Sequence, residues 1–225
     1  MSIGVLTRKI LGEKVFSVIG RYYRRIFVDL EIVAQTMSEV IPDNAHVLDI
    51  GGGDGEPLNY LMRIRHDIQV TMIDLSAQIG GSIADDFRDR VKLLPGTSIR
   101  EYINTYMHGY KKSPNCVIIS DVIHHIRISE RPSFFRNIYD IIEYLQAPLI
   151  IKEFAPGCIV SFLGYLSDRY ISNDGNVSFI SKSELSKQLK EIFGKVKIRE
   201  TELFFQNKPN YSIVVYLEHS NHQRG

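Results

Sequence analysis

The chain of 225 residues has only two cysteines, Cys116 and Cys158. That excludes a disulfide framework, and their separation matches no metal-ligand spacing. Cys116 stands in the apolar run NCVIIS and reads as a small buried hydrophobe. No apolar run reaches the roughly 18 residues that a membrane span needs. The N-terminal MSIGVLTRKILGEKVFSVIG breaks its apolar residues with Arg8, Lys9 and Lys14, so no signal peptide is expected and the cytoplasm is the expected compartment. Repeats, low-complexity tracts and obvious linkers are missing as well. Strong net charge is also lacking: the formal sum is +1. It hides an asymmetry, because residues 1–25 carry six basic side chains and only Glu13 as an acid, which leaves −4 for the rest. The basic segment can be a solvated helix face, or it can draw phosphate, an anionic membrane surface or an acidic substrate. An acidic remainder argues against a nucleic-acid substrate.

What is present is the composition of a globular domain, 44% hydrophobic and 24% charged. Residues 3–19 and 21–40 place apolar side chains at helical spacing (Ile3, Leu6, Ile10; Ile26, Val33, Met37, Val40), and Pro42-Asp43-Asn44 ends the second run. From Ala45 strands and helices alternate. AHVLDI, IQVTMIDL, VKLLPG, NCVIIS and APLIIKEF read as strands; 56–66, 129–145 and 181–193 read as helices. Two further strands, KVKIRETELFF and YSIVVYLE, are joined by QNKPN and must be antiparallel. Near-continuous apolar strands imply a sheet covered on both faces, and the alternation implies parallel crossovers.

The most informative local pattern is Val47-Leu48-Asp49-Ile50-Gly51-Gly52-Gly53-Asp54-Gly55, a strand running into glycines. Such a turn lets a ligand meet backbone with no side chain between. Asp74 follows Gly55 by nineteen residues and ends the next strand, where a carboxylate can accept hydrogen bonds from ribose hydroxyls. The glycine spacing differs from the dinucleotide fingerprint. Asp49, two residues before the first glycine, suits a ligand bearing an ammonium group and would repel a diphosphate.

With these residues the chain resembles the class I S-adenosylmethionine-dependent methyltransferases: VLDIGGGDG looks like their first motif and IDLS like their second. The resemblance covers about residues 44–220. It implies an α/β, Rossmann-like, seven-stranded, mainly parallel sheet with helices on both faces and the last strand antiparallel, here with an N-terminal helical extension at 1–43. It also implies S-adenosylmethionine as cofactor and S-adenosylhomocysteine as product. By the same resemblance Gly51 and Gly53 pass the amino-acid part of the cofactor and Asp49 orders that region. Asp74 would bind the ribose, Leu75 would lie against the adenine, and Ser120 would approach the cofactor. Where the family often has an acid after the third strand, Thr97 and Ser98 stand instead, and Asn115 replaces an acid at the start of the fourth.

The ligand crevice of such a sheet lies beyond the carboxyl ends of its strands. The fourth strand runs into His124-His125, which resembles small-molecule methyltransferases with a His pair there. Histidine is a suitable base for a hydroxyl acceptor, with His125 placed slightly ahead of His124. No further ligands complete a metal site around the pair. Glu153, ending the fifth strand, can bind an acceptor amine, orient a histidine or pair with Lys152. Residues 155–180 are long for a connection and form the expected acceptor lid, with Tyr165, Arg169 and Tyr170 as acceptor contacts. Tyr23 can fold over the cofactor. The expected activity is methylation of an O or N atom of a small molecule, a natural-product or cell-envelope precursor. A protein or nucleic-acid methyltransferase and a non-catalytic cofactor-binding scaffold are the other readings, and oligomeric state is not legible.

Overall fold

The computed structural model describes residues 28–107, 113–156, 177–205 and 208–218, with side chains left aside from 200 to 209. Seven strands form one sheet in the order β3-β2-β1-β4-β5-β7-β6. They are β1 (His46–Ile50), β2 (Gln69–Asp74), β3 (Val91–Pro95), β4 (Cys116–Ser120), β5 (Leu149–Phe154), β6 (Val196–Phe205) and β7 (Lys208–Leu217). The first five are parallel, and β7 runs antiparallel to both β5 and β6. The expected fold class therefore stands. QNKPN, expected as the whole final link, contributes its Lys-Pro-Asn to β7 instead, which pairs from Phe205↔Lys208 onward.

Apolar runs become central strands because helices cover both faces. Every residue of β1 and β5 is buried. On one face lie α1 (Leu30–Ser38) and α2 (Glu56–Ile64), which pack Leu30, Val33, Met37, Leu58, Leu61 and Met62 against Val47 and Ile118. On the other lie α4 (Arg131–Leu145) and α5 (Lys182–Phe193), with Phe135, Ile138, Leu185 and Leu189 against Leu48 and Ile119. Between β3 and β4 a short α3 (Ile99–Glu101) continues into a π-helical turn at Tyr102–Tyr106. That element and the 3₁₀ helix Asp85–Arg90 are not marked by apolar periodicity, and the sequence reading did not include them. Cys116 is fully buried, and desolvation pushes its thiol up to about 12, consistent with an inert core residue. Among the described residues no helix is long and apolar enough to cross a membrane. The expected helix at 3–19 lies outside the described residues, as does the start of the one at 21–40.

The sequence pattern explains where α1 starts and stops. Asp29 caps it by accepting from the N–H groups of Glu31 and Ile32. Its end is held by Arg65, which donates to the carbonyls of Ser38 (3.1 Å), Ile41 (2.6 Å) and Pro42 (2.6 Å). The same guanidinium grips both oxygens of Asp67 at 2.8 and 2.7 Å, and Asp67 accepts from the Asn44 N–H. Arg65→Ala should cost roughly 2–3 kcal/mol, since several charge-assisted bonds are lost together. Thermal unfolding should then fall by about 4–10 °C for a domain of this size. Arg65 holds the Asp67 carboxyl below the usual carboxylate range, chiefly through that hydrogen bond. Its stabilising contribution is therefore present above the ordinary carboxyl pKa and lost as pH falls further. Melting curves of wild type and variant should converge in acid, and a constant difference down to the acid transition would refute the assignment.

Candidate active site

The glycine turn leaves β1 with Gly51 N–H donating to the Ile73 carbonyl of β2 at 2.8 Å. Its glycines are not equivalent. Gly53, at φ +56°, has no atom of the described residues within 4 Å of where a Cβ would stand, so among them its face is open to a ligand. A Cβ on Gly52 would lie 2.3 Å from Asp49 Oδ2 and 2.6 Å from Met72, so that glycine makes room for the carboxylate beneath it. The Gly51 position is covered by Val122, 2.6 Å from the ideal Cβ, which brings the turn after β4 against the glycine turn.

Asp74 is oriented before any ligand arrives: Oδ2 accepts from Gly53 N–H at 3.0 Å and Oδ1 from Ser76 N–H at 2.8 Å. Each oxygen keeps a second lone pair. Leu75, next along the chain, is 76% exposed, an apolar side chain standing in solvent beside the open Gly53. At the end of β3, Thr97 N–H donates to the Asp74 carbonyl, while Thr97 Oγ1 reaches the Pro95 carbonyl and Ser98 Oγ caps α3 by accepting from Glu101 N–H. Residues 80–84 are laced to the turn: Gly80 and Ser82 N–H donate to the Gly53 and Asp54 carbonyls, and Asn59 bonds both Ser82 and Ala84. Asn115, where the family often has an acid, joins strands: its Oδ1 accepts from His46 N–H at 2.8 Å.

Asp49 is buried, and no described residue donates a hydrogen bond to its carboxylate. It borders a cavity of about 40 Å³ lined by Ser120, Gly52, Ile118 and the apolar faces of α1 and α2. Desolvation, and then the Asp74 carboxylate, push its pKa up to about 7. Two carboxylates thus flank a turn with an open glycine face and an exposed apolar side chain. These features fit the cofactor expected above, since a cationic ligand offsets the acidic pair while an anionic one adds to it.

Across the turn, β5 organises the histidines. Glu153, fully buried, accepts from Val122 N–H (2.9 Å) and Ile123 N–H (2.6 Å) through Oε1. Its Oε2 meets His124 Nδ1 at 2.7 Å. Of the three partners expected for Glu153, the one it meets among the described residues is a histidine. Lys152 bonds Asp121 instead, its Nζ 2.6 and 2.7 Å from the two carboxylate oxygens. The two histidines differ in setting: His124 is buried and bonded to a carboxylate, whereas His125 is exposed with its ring 4.1 Å from that of His124. Asp121, His124 and Glu153 bring one ligand atom each within 4.8 Å of one another, so partners absent from the sequence reading do stand near the pair. A metal ion there would have to displace the Lys152 ammonium from Asp121.

Comparison with known proteins bears on this arrangement. A family model described as a methyltransferase domain matches residues 21–192. The chain belongs to that family. Its fold recurs in the S-adenosylmethionine-dependent methyltransferase SibL (TM-score 0.66, 15% identity), over 92% of this chain and 60% of that one. It recurs in the mitomycin 7-O-methyltransferase MmcR (TM-score 0.61, 17% identity, 84% of this chain and 54% of that one). The CurJ carbon methyltransferase gives TM-score 0.60 at 14% identity, with 84% of this chain and 54% of that one covered. The chain therefore spans little more than half the length of these proteins. A search of curated proteins finds no match.

One residue of this methyltransferase site gave no signal in the sequence. Arg131, buried at the first turn of α4, donates to the Ile126 carbonyl at 3.2 Å and to the Ser178 carbonyl. Ser178 N–H in turn donates to the His124 carbonyl at 2.8 Å, so the chain returning after residue 176 is docked on the histidine turn. Burial lowers the Arg131 pKa, and Glu153 opposes that shift. Tyr23, Tyr165, Arg169 and Tyr170 lie outside the described residues. The Asp49 geometry has a measurable consequence. A carboxyl whose pKa is raised on folding stabilises the protein in acid, and that contribution is lost as pH rises through about 7. Asp49→Asn should therefore melt higher than wild type above pH 7, with the gap narrowing as pH approaches the ordinary carboxyl value near ~4. Parallel pH profiles for the two proteins would show that Asp49 is not the buried carboxyl described.

Proposed function

We infer that this methyltransferase transfers a methyl group from S-adenosylmethionine to an oxygen or nitrogen atom of a small molecule, a natural-product or cell-envelope precursor. The observation that carries the reading is the buried His124–Glu153 pair, seated on a turn whose Val122 abuts the glycine turn at Gly51. S-Adenosylmethionine supplies an electrophilic methyl group and leaves as S-adenosylhomocysteine. The chain's own task is to align the acceptor and receive its proton. An ionised Glu153 only accepts hydrogen bonds, so His124 carries its proton on Nδ1 and Nε2 is the basic nitrogen of the neutral ring. A base so prepared serves a hydroxyl or a protonated amine. His125, exposed beside it, is assigned to the acceptor.

On the cofactor side Gly53 offers open backbone, Asp74 its remaining lone pairs, and Leu75 an apolar face for the adenine. Thr97 and Ser98 border that face at the end of β3. Asp49 and Ser120 share the cavity beneath the turn, where the amino-acid end of the cofactor is assigned. The acidic character of residues 26–225 supports a small acceptor over a nucleic acid, and MmcR and CurJ are carriers of the fold with small-molecule or carbon methylation in their names. In the same reading residues 1–43 form an extension that caps the domain at 44–220, and 155–180 sets acceptor specificity with Tyr165, Arg169 and Tyr170. The basic first segment gives an anionic surface a place to bind, and the protein works in the cytoplasm.

Calorimetry should show S-adenosylhomocysteine binding that Asp74→Ala weakens by roughly 1–3 kcal/mol, the scale of hydrogen bonds lost in a buried polar site. Stronger binding of a nicotinamide dinucleotide would sink the cofactor assignment. With an acceptor found by screening hydroxyl and amine compounds, His124→Ala should lower turnover by about 10²–10⁴-fold with cofactor affinity unchanged. Glu153→Gln should fall between. Normal turnover per folded molecule in His124→Ala would end the base assignment.

A further inference from the structure

The turn after β4 contains a conformation its sequence does not favour. Asp121 has φ +57°, in the left-handed region that β-carbon contacts disfavour outside glycine and, less strongly, Asn and Asp. Such a residue persists only when its surroundings hold it there. Here the restraint comes from one neighbour on β5. Asp121 N–H donates to the Lys152 carbonyl at 2.9 Å, and both Asp121 oxygens accept from Lys152 Nζ. Lys152 is fully buried, so its ammonium has little solvent to satisfy it and depends on that carboxylate. Three hydrogen bonds with one residue, one through its backbone carbonyl and two through its side-chain ammonium, thus clamp Asp121.

What the clamp does follows from the order of the chain. With Asp121 in the left-handed region, the next two N–H groups, of Val122 and Ile123, converge on Glu153 Oε1. That leaves Oε2 for His124 Nδ1. Lys152 and Glu153 are adjacent on a strand and face opposite sides of the sheet, Lys152 with Phe154 and Glu153 opposite Tyr211. The histidine turn is therefore gripped from both sides of β5. We propose that Lys152 is a positioning residue: through Asp121 it sets the backbone turn that presents His124 to Glu153. The proposal rests on the assignment of His124 as the base, and the geometry it describes can be read without any acceptor.

Lys152→Met removes the side-chain half of the clamp, keeps the backbone bond, and leaves the Asp121 carboxylate without its ammonium. The double variants Lys152→Met with Asp121→Gly, and Lys152→Met with Asp121→Asn, remove the unpaired charge and put at position 121 a residue that adopts the left-handed region freely (Gly) or as readily as Asp does (Asn). The readout is the Nδ1 proton of His124 in the NMR spectrum of the ligand-free protein, assigned by its disappearance in His124→Asn. In wild type it should appear as a slowly exchanging downfield resonance. In Lys152→Met its exchange with solvent should rise by about tenfold or more, the scale set by losing a buried hydrogen bond. Both double variants should return it towards the wild-type rate. A merely structural ion pair predicts a lower melting temperature in Lys152→Met, recovered in the double variants, with the His124 exchange rate unchanged throughout. An unchanged resonance in Lys152→Met, or no rescue by Gly and Asn, overturns the proposal. So does loss of the fold in all three variants, since the pair would then sustain the domain and not the turn. Calorimetry of S-adenosylhomocysteine on the same proteins keeps the two readings apart. Absent binding in wild type would refute the cofactor assignment while leaving the His124 resonance, and so the positioning role, to be judged on its own.

Discussion

Glu153 accepts hydrogen bonds from three donors in a row, the N–H groups of Val122 and Ile123 and Nδ1 of His124. A fully buried carboxylate is costly unless its lone pairs are occupied, and breaking such a site by removing one partner costs more than making it gained. The backbone after β4 consequently has little choice of path, because only one turn brings those donors to one point. Arg131 adds to the constraint from α4 by holding Ile126 and Ser178, and the Tyr211 hydroxyl donates to the Ile180 carbonyl beside it. The ends of β4 and β5, the start of α4 and the chain near residue 178 form one connected polar network under an apolar shell. Networks of this type favour a single arrangement, since partial satisfaction is worse than none.

The glycine turn shows the reverse design. Its backbone is laced to β2 and to residues 80–84, yet Asp49 has no donor among the described residues and sits beside a cavity. The pair Asp49 and Asp74 leaves a concentration of acceptors where the β4–β5 network has already matched acceptors with donors. Two charge environments so different, separated by the contact between Val122 and Gly51, divide the crevice into a side poised for a cationic ligand and a side whose charges are internally neutralised.

The sheet was legible because its strands are apolar on both faces, and α2, α4 and α5 because their apolar residues recur at helical spacing. The glycine turn and Asp74 were legible because their geometry depends on local residue type. Partner choice was not. Glu153 had three plausible partners in the sequence, and only the register of β4 against β5 decides that Lys152 lies level with Ser120, next to Asp121. Arg131 and Asn115 look like surface residues until the sheet brings His46 to one and Ser178 to the other. Which of His124 and His125 meets Glu153 was not legible for the same reason, since burial of one ring against that carboxylate is a long-range property. The π-helical turn at 102–106 carries no periodic signal that a window could detect.

Helix α1 links these parts of the molecule. It lies before the glycine motif and was read as part of an extension, but its Leu30, Val33, Ala34 and Met37 wall the cavity that holds Asp49. Without that wall the carboxyl would be hydrated, and the desolvation that raises its pKa would be largely lost. Arg65, at the C-terminal cap of α2, holds the end of α1 by capturing the carbonyls of Ser38 and of Ile41 and Pro42 just beyond it, and so helps to set the electrostatics of the glycine turn. The family match begins at residue 21, ahead of this helix. Packing gives the reason that the helix belongs to the working unit: the sheet supplies the acids, and α1 removes the water that would otherwise neutralise their effect.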